Sequence, residues 1–201
     1  MTELADRLRL FEPLLDDLAT AFRVDVTWPT EVSSDPVQDA YERCEVNRLK
    51  IGGACAIDHE AVREHAEHIV HAIVHDHCPS GNRQLIEPFV RSLGAQQAME
   101  SILDYLETGS ATERFGAAMA WYWIGPSGAS QALLQDFEPR FRIGCLRAFL
   151  ASDSPADRLY LSTKFTLDLA DYPPALHAEV EEAAQIAATL PAQNRPRSAT
   201  D

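Results

Sequence analysis

The sequence has no long apolar run: Arg, Glu or His interrupts every hydrophobic stretch, so nothing in it reads as a membrane span. Its start, MTELADRLRLFEPLL, has no uninterrupted apolar stretch behind a basic end, and no secretory signal is visible. Positive charge is scarce. Seventeen Lys and Arg stand against 31 Asp and Glu, a net charge of −14, which argues against nucleic acid as a partner because phosphate binding needs a basic field. The four cysteines, Cys44, Cys55, Cys78 and Cys145, include no C-x-x-C pair, so a zinc or redox centre on cysteine is not indicated. A chain of 201 residues does not need disulfides to support its core, and the expected compartment is the reducing cytoplasm. There is no G-x-G-x-x-G, P-loop or G-x-S-x-G, and Gly125-Pro126-Ser127-Gly128 has the wrong spacing for the last.

What is present is apolar residues, 46% of the chain, enough for one sizeable domain. Their spacing is helical. Leu4, Leu8, Phe11, Leu15, Leu18 and Phe22 follow each other at intervals of three and four, an amphipathic stripe that Pro13 would kink or divide. Arg23–Pro29 alternates apolar and polar residues but is short and ends at proline, which suggests an extended connector. Ser34-Asp35-Pro36 is a helix start signal, Gly52-Gly53 an expected interruption, and Asp58 a cap for the next helix. A single long helix is expected from His59 to His77. Others are expected near 83–93, 96–108, 112–125, 138–151, 154–169 and 174–189, separated by Gly, Ser, Pro and Asp.

The most specific signal is an internal repeat. YLETGSATERF, Tyr105–Phe115, aligns without gaps on FLASDSPADRL, Phe149–Leu159. Aromatic matches aromatic at 105 and 149, Ser110 matches Ser154, an acid matches an acid at 113 and 157, and Arg114 matches Arg158. Each copy reads as a helix end, a polar turn and a capped helix start. A spacing of this size with two helices per unit is characteristic of HEAT and armadillo arrays. Glu113–Gly125 (ERFGAAMAWYWIG) and Glu138–Leu150 (EPRFRIGCLRAFL) resemble HEAT-repeat helices, and the resemblance spans residues 80–190. It implies an all-α fold: a short right-handed α-solenoid of antiparallel helix pairs over 59–190, with an N-terminal helical cap over 1–58. It also implies a scaffold or binding surface, since most such proteins are not enzymes. The tail over 191–201 is polar and proline-bearing, and is expected to be disordered.

Two groups of residues are candidates for a site. Six of the seven histidines lie between His59 and His77, and His68, His71 and His75 fall within about 60° of one another on an ideal helix. They form a polar stripe, expected to face solvent, that could chelate a divalent transition metal. H-E-x-x-H is absent, because Arg63 stands where the second histidine belongs. The HEAT-type deoxyhypusine hydroxylases hold iron with His-Glu pairs from separate repeats, whereas this chain has one such pair, His59-Glu60. The second group is Trp121 and Trp123 with Arg140 and Arg147. Phe115, Ala118, Met119 and Tyr122 share one helix face and are expected in the core. Trp121 and Trp123 then fall on other faces, beside a stretch, 101–150, that carries 5 acids against 4 bases. Tryptophan beside arginine is the composition of an interface anchor.

The sequence therefore points to a non-catalytic cytoplasmic protein-binding module without a cofactor. Its alternatives are an acidic inhibitor or immunity protein that neutralises a basic partner, and a metal-dependent enzyme built on the His59–His77 helix.

Overall fold

The structure, a computed structural model, describes residues 2–26, 35–76 and 78–191. Among these residues every regular element is helical, with ten α-helices and no strand. None of the helices is long and apolar enough to cross a membrane. Three expectations fall wholly or partly outside the described residues: the connector beyond 26, the end of the long helix at His77, and the tail from 192.

The first helix, α1 (Thr2–Ala21), buries Leu8, Phe11, Leu15 and Leu18, the stripe read from their spacing. Pro13 does not divide it into two elements. The proline lies on the exposed side, where water can satisfy the carbonyl that loses its intrahelical partner. Helix α2 (Pro36–Cys55) starts on Asp35, whose carboxylate accepts the Val37 N–H at 2.9 Å. It runs through Gly52-Gly53 instead of stopping there, because α2 packs closely on α5: a methyl group at Gly52 would lie 2.5 Å from the carbonyl oxygen of Gln84.

The long helix expected from His59 is two helices, α3 (His59–Glu64) and α4 (Ala66–His75), separated at His65. Asp58 caps α3 as expected, accepting the Ala61 N–H at 3.0 Å. The two halves serve different neighbours. Helix α3 packs on α5 (Arg83–Leu93), where His59 Nδ1 lies 2.7 Å from Ser92 Oγ, while α4 packs on α1 and α7.

The remaining helices are α6 (Ala95–Thr108), α7 (Ala111–Ile124), α8 (Gln131–Ala151), α9 (Pro155–Leu161) and α10 (His177–Ala187). Helix α8 begins seven positions before the expected start at 138, and its N-cap is Ser130. The helix expected over 154–169 ends at Leu161, and short 3-10 turns at Leu169–Asp171 and Pro174–Leu176 precede α10. Helices α1, α4, α7 and α9 pack in succession, and α2, α5, α6, α8 and α10 do likewise. The alternation between these two rows is broken between α5 and α6, consecutive helices that pack within one row. Helix α1 also reaches far along the chain, since Arg7 pairs with Asp157 of α9 at 2.7 Å.

The internal repeat maps onto the α6–α7 and α8–α9 junctions, and their N-cap bonds correspond, whereas the two matched arginines bond to carbonyls at different positions of the repeat. Ser110 Oγ accepts the Glu113 N–H and Ser154 Oγ accepts the Asp157 N–H. Arg114 Nε donates to the Gly109 carbonyl at 2.8 Å, and Arg158 Nε donates to that of Phe149 at 3.3 Å. Each arginine thus satisfies an orphan carbonyl where the preceding helix ends.

Candidate functional site

The histidines do not act as one stripe. His68 is exposed and borders a shallow groove with Arg63, Glu64 and Gln97. His71 and His75 turn instead towards α7. The cause is a close crossing of helices, in which Gly116 of α7 lies against the backbone of Val74 of α4. Glu113 is one turn before Gly116 on the same face, so the crossing brings its carboxylate to both rings. Glu113 Oε1 lies 3.6 Å from His71 Nε2 and 3.7 Å from His75 Nε2. The imidazoles meet edge to face with centroids 4.8 Å apart, and Tyr105 of α6 stacks on His71 at 6.0 Å.

Glu113 is held in place by its own helix. It is the third residue of a capping box, in which Oε2 accepts the Ser110 N–H at 2.8 Å. Oε1 is therefore the oxygen turned to the histidines. Burial raises the pKa of Glu113, but the two hydrogen bonds with Ser110 and the nearby His75 and His71 outweigh it, and the net shift is downward. His75, with only 11% of its side chain exposed, moves down as well: burial is the larger cause and the neighbouring His71 adds to it. The expectation of a solvent-facing stripe holds for His68 and fails for His75.

The aromatic candidates also separate. Phe115, Ala118 and Met119 enter the core as expected, but Tyr122 is 64% exposed while Ile124 is fully buried. Trp121 stacks on Phe141 of α8, with centroids 4.7 Å apart and planes 11° from parallel. These two rings, with Tyr122, Leu134, Glu138 and Lys164, line a groove of ≈ 460 Å³ between α7 and α8. Trp123 points elsewhere. Its Nε1 donates to the Pro79 carbonyl at 2.6 Å, and the Arg83 guanidinium lies over the ring at 5.6 Å. Arg140 is tied to Glu107 through two bonds of 3.0 Å and to Glu100 at 2.7 Å, and Arg147 is tied to Glu179. Of the four residues expected to anchor a partner, Trp121 alone lines the groove.

A third cluster had no signal in the sequence. Arg48 is completely buried, donates to Asp76 Oδ1 at 2.8 Å, and also contacts Glu45. The same Asp76 oxygen accepts the Cys78 N–H at 2.8 Å. Burial pushes the Asp76 carboxyl above its usual range, against the pull of Arg48 and of the Cys78 amide. Among the described residues, Arg48 Nε, Asp76 Oδ2, Asn82 Oδ1 and both polar atoms of Asn47 are buried without a hydrogen-bond partner. The cluster joins α2 to the turn that leads into α5.

No protein-family model matches the chain, and neither a curated protein nor a solved structure matches it. The sites therefore rest on their own geometry.

Proposed function

We propose that this chain is a HEAT-like helical repeat protein of the cytoplasm, a non-catalytic module that binds a basic protein in the groove between α7 and α8. The observation that carries this reading is Tyr122, a large aromatic side chain 64% exposed on a rigid helix, at the edge of a groove floored by the stacked Trp121 and Phe141. Aromatic side chains on rigid elements supply contact area at low conformational cost and dominate binding hot spots. The net charge of −14 favours a cationic partner and would speed its approach. The matched N-caps of α7 and α9, on Ser110 and Ser154, support the HEAT-like part of the proposal.

Affinity capture from an extract of the source cells, comparing the unaltered protein with Tyr122→Ala, tests it. A basic protein should be retained by the unaltered chain and bind the variant at least about tenfold more weakly, the loss of a hot-spot residue. Equal retention of the same proteins by both would sink the reading. The association rate of that partner separates two forms of the proposal. An acidic inhibitor loses on-rate steeply as salt rises, whereas a contact made mainly by the aromatic groove does not.

A further inference from the structure

We infer that His71, His75 and Glu113 form a binding site for a single divalent transition ion of the zinc class, one that ties α4 to α7. The site is separate from the α7–α8 groove, and it stands or falls independently of the binding proposal.

The donor set decides the class of ion. Two imidazole nitrogens and one carboxylate oxygen suit Zn²⁺, Co²⁺ or Ni²⁺ better than the oxygen-seeking Mg²⁺ and Ca²⁺. The spacing decides whether one ion can be shared. With bonds of about 2.0–2.1 Å, the donors of a tetrahedral zinc site lie about 3.3 Å apart. The separations from Glu113 Oε1 to the two Nε2 atoms, 3.6 and 3.7 Å, are near that edge length, and the three donors all lie within 4.8 Å of one another. His71 and His75 are one turn apart on α4, so their rings project from one face. A small rotation of His71, 40% exposed, completes the approach and leaves the remaining position of the ion open to water.

The surroundings favour a cation as well. His75 is the last residue of α4, where the partial negative charge of the helix end lies. Helix α7 presents its positive end to the same place, and the Glu113 carboxylate offsets it. The Ser110 N–H holds Glu113 Oε2 and so orients Oε1, as outer hydrogen bonds do for metal-bound carboxylates. His68 is not among these donors, so the third ligand comes from α7 and not from the histidine stripe.

The test uses full-length protein without a histidine tag, stripped with a chelator and titrated with Zn²⁺ against a chromophoric competitor. One Zn²⁺ per chain is expected. His71→Ala and Glu113→Gln should each weaken it at least about tenfold, while His68→Ala leaves it unchanged. Glutamine at 113 preserves the capping box, so the Gln variant keeps its fold, which circular dichroism checks. Co²⁺ in place of Zn²⁺ should give visible bands that Glu113→Gln alters. Absence of stoichiometric binding would overturn the inference. So would binding that Glu113→Gln leaves intact and His68→Ala removes, because the ion would then sit on the exposed histidines alone.

Discussion

Gly116 of α7 rests directly on the carbonyl of Val74 in α4, so close that a methyl group there would lie 1.7 Å from the carbonyl oxygen. No side chain can occupy that position without moving a backbone, and the crossing is what presents His71 and His75 to Glu113. Gly116→Ala should therefore push α4 from α7 and destabilise the protein by about 1–3 kcal/mol, the usual cost of overpacking a core. Urea denaturation measures this. An unchanged midpoint would mean that the helices are free to separate there at little cost.

The same crossing predicts a dependence of stability on pH. The pKa of His75 is lowered in the folded protein, by burial first and then by His71, so below its ordinary value of about 6.5 the unfolded chain binds the proton more readily. The stability that His75 contributes is greatest above that value and is lost as pH drops through the range between 6.5 and the lower folded value. The pKa of Glu113 is also lowered, so its contribution is lost at still lower pH, below the usual carboxylate range. The raised pKa of Asp76 acts in the opposite direction over the same range, so the contribution of His75 is read as a difference: between pH 7.5 and 5 the Tm of His75→Gln should fall less, or rise more, than that of the unaltered protein. Identical slopes for the two proteins would assign the titration to other groups.

Much of this fold was legible because it repeats one pattern. The stripe from Leu8 to Leu18 is buried as its spacing requires, and Asp35, Asp58, Ser110 and Ser154 all cap helices. Periodicity failed on α7, where Tyr122, expected in the core, is exposed. That helix is apolar along most of its length and packs against α4, α5, α6, α8 and α9, so no single face is marked by sequence. Glu113 was invisible as a partner of the histidines because spacing along one helix cannot reveal a donor on another. Arg48 and Asp76 escaped notice because charged residues are ordinarily read as surface.

The buried pair of Arg48 and Asp76 yields a third prediction. Asp76→Ala removes the partner of a guanidinium that has no access to water, and should cost about 3–5 kcal/mol. Replacing both residues with apolar ones of similar volume should recover much of that loss. Chemical denaturation of the single and double variants checks this. A single variant as stable as the unaltered protein would show that Glu45 alone satisfies Arg48.

The matched junctions give a fourth. Ser110→Ala and Ser154→Ala each remove an N-cap and should each cost about 1 kcal/mol. Both losses should be readable in the denaturation midpoint. Loss at one junction and none at the other would separate two turns that share their N-cap bond.

Whether Tyr122 marks a protein-binding groove is read by a photo-crosslinking amino acid placed at position 122 and, in a second protein, at Ile57. Ile57 is 85% exposed, more than Tyr122 at 64%, so simple hydrophobic adhesion would favour 57. Irradiation in an extract of the source cells should join position 122 to one basic protein and leave 57 unlinked. Equal labelling from both positions, or labelling from 57 alone, would contradict the account.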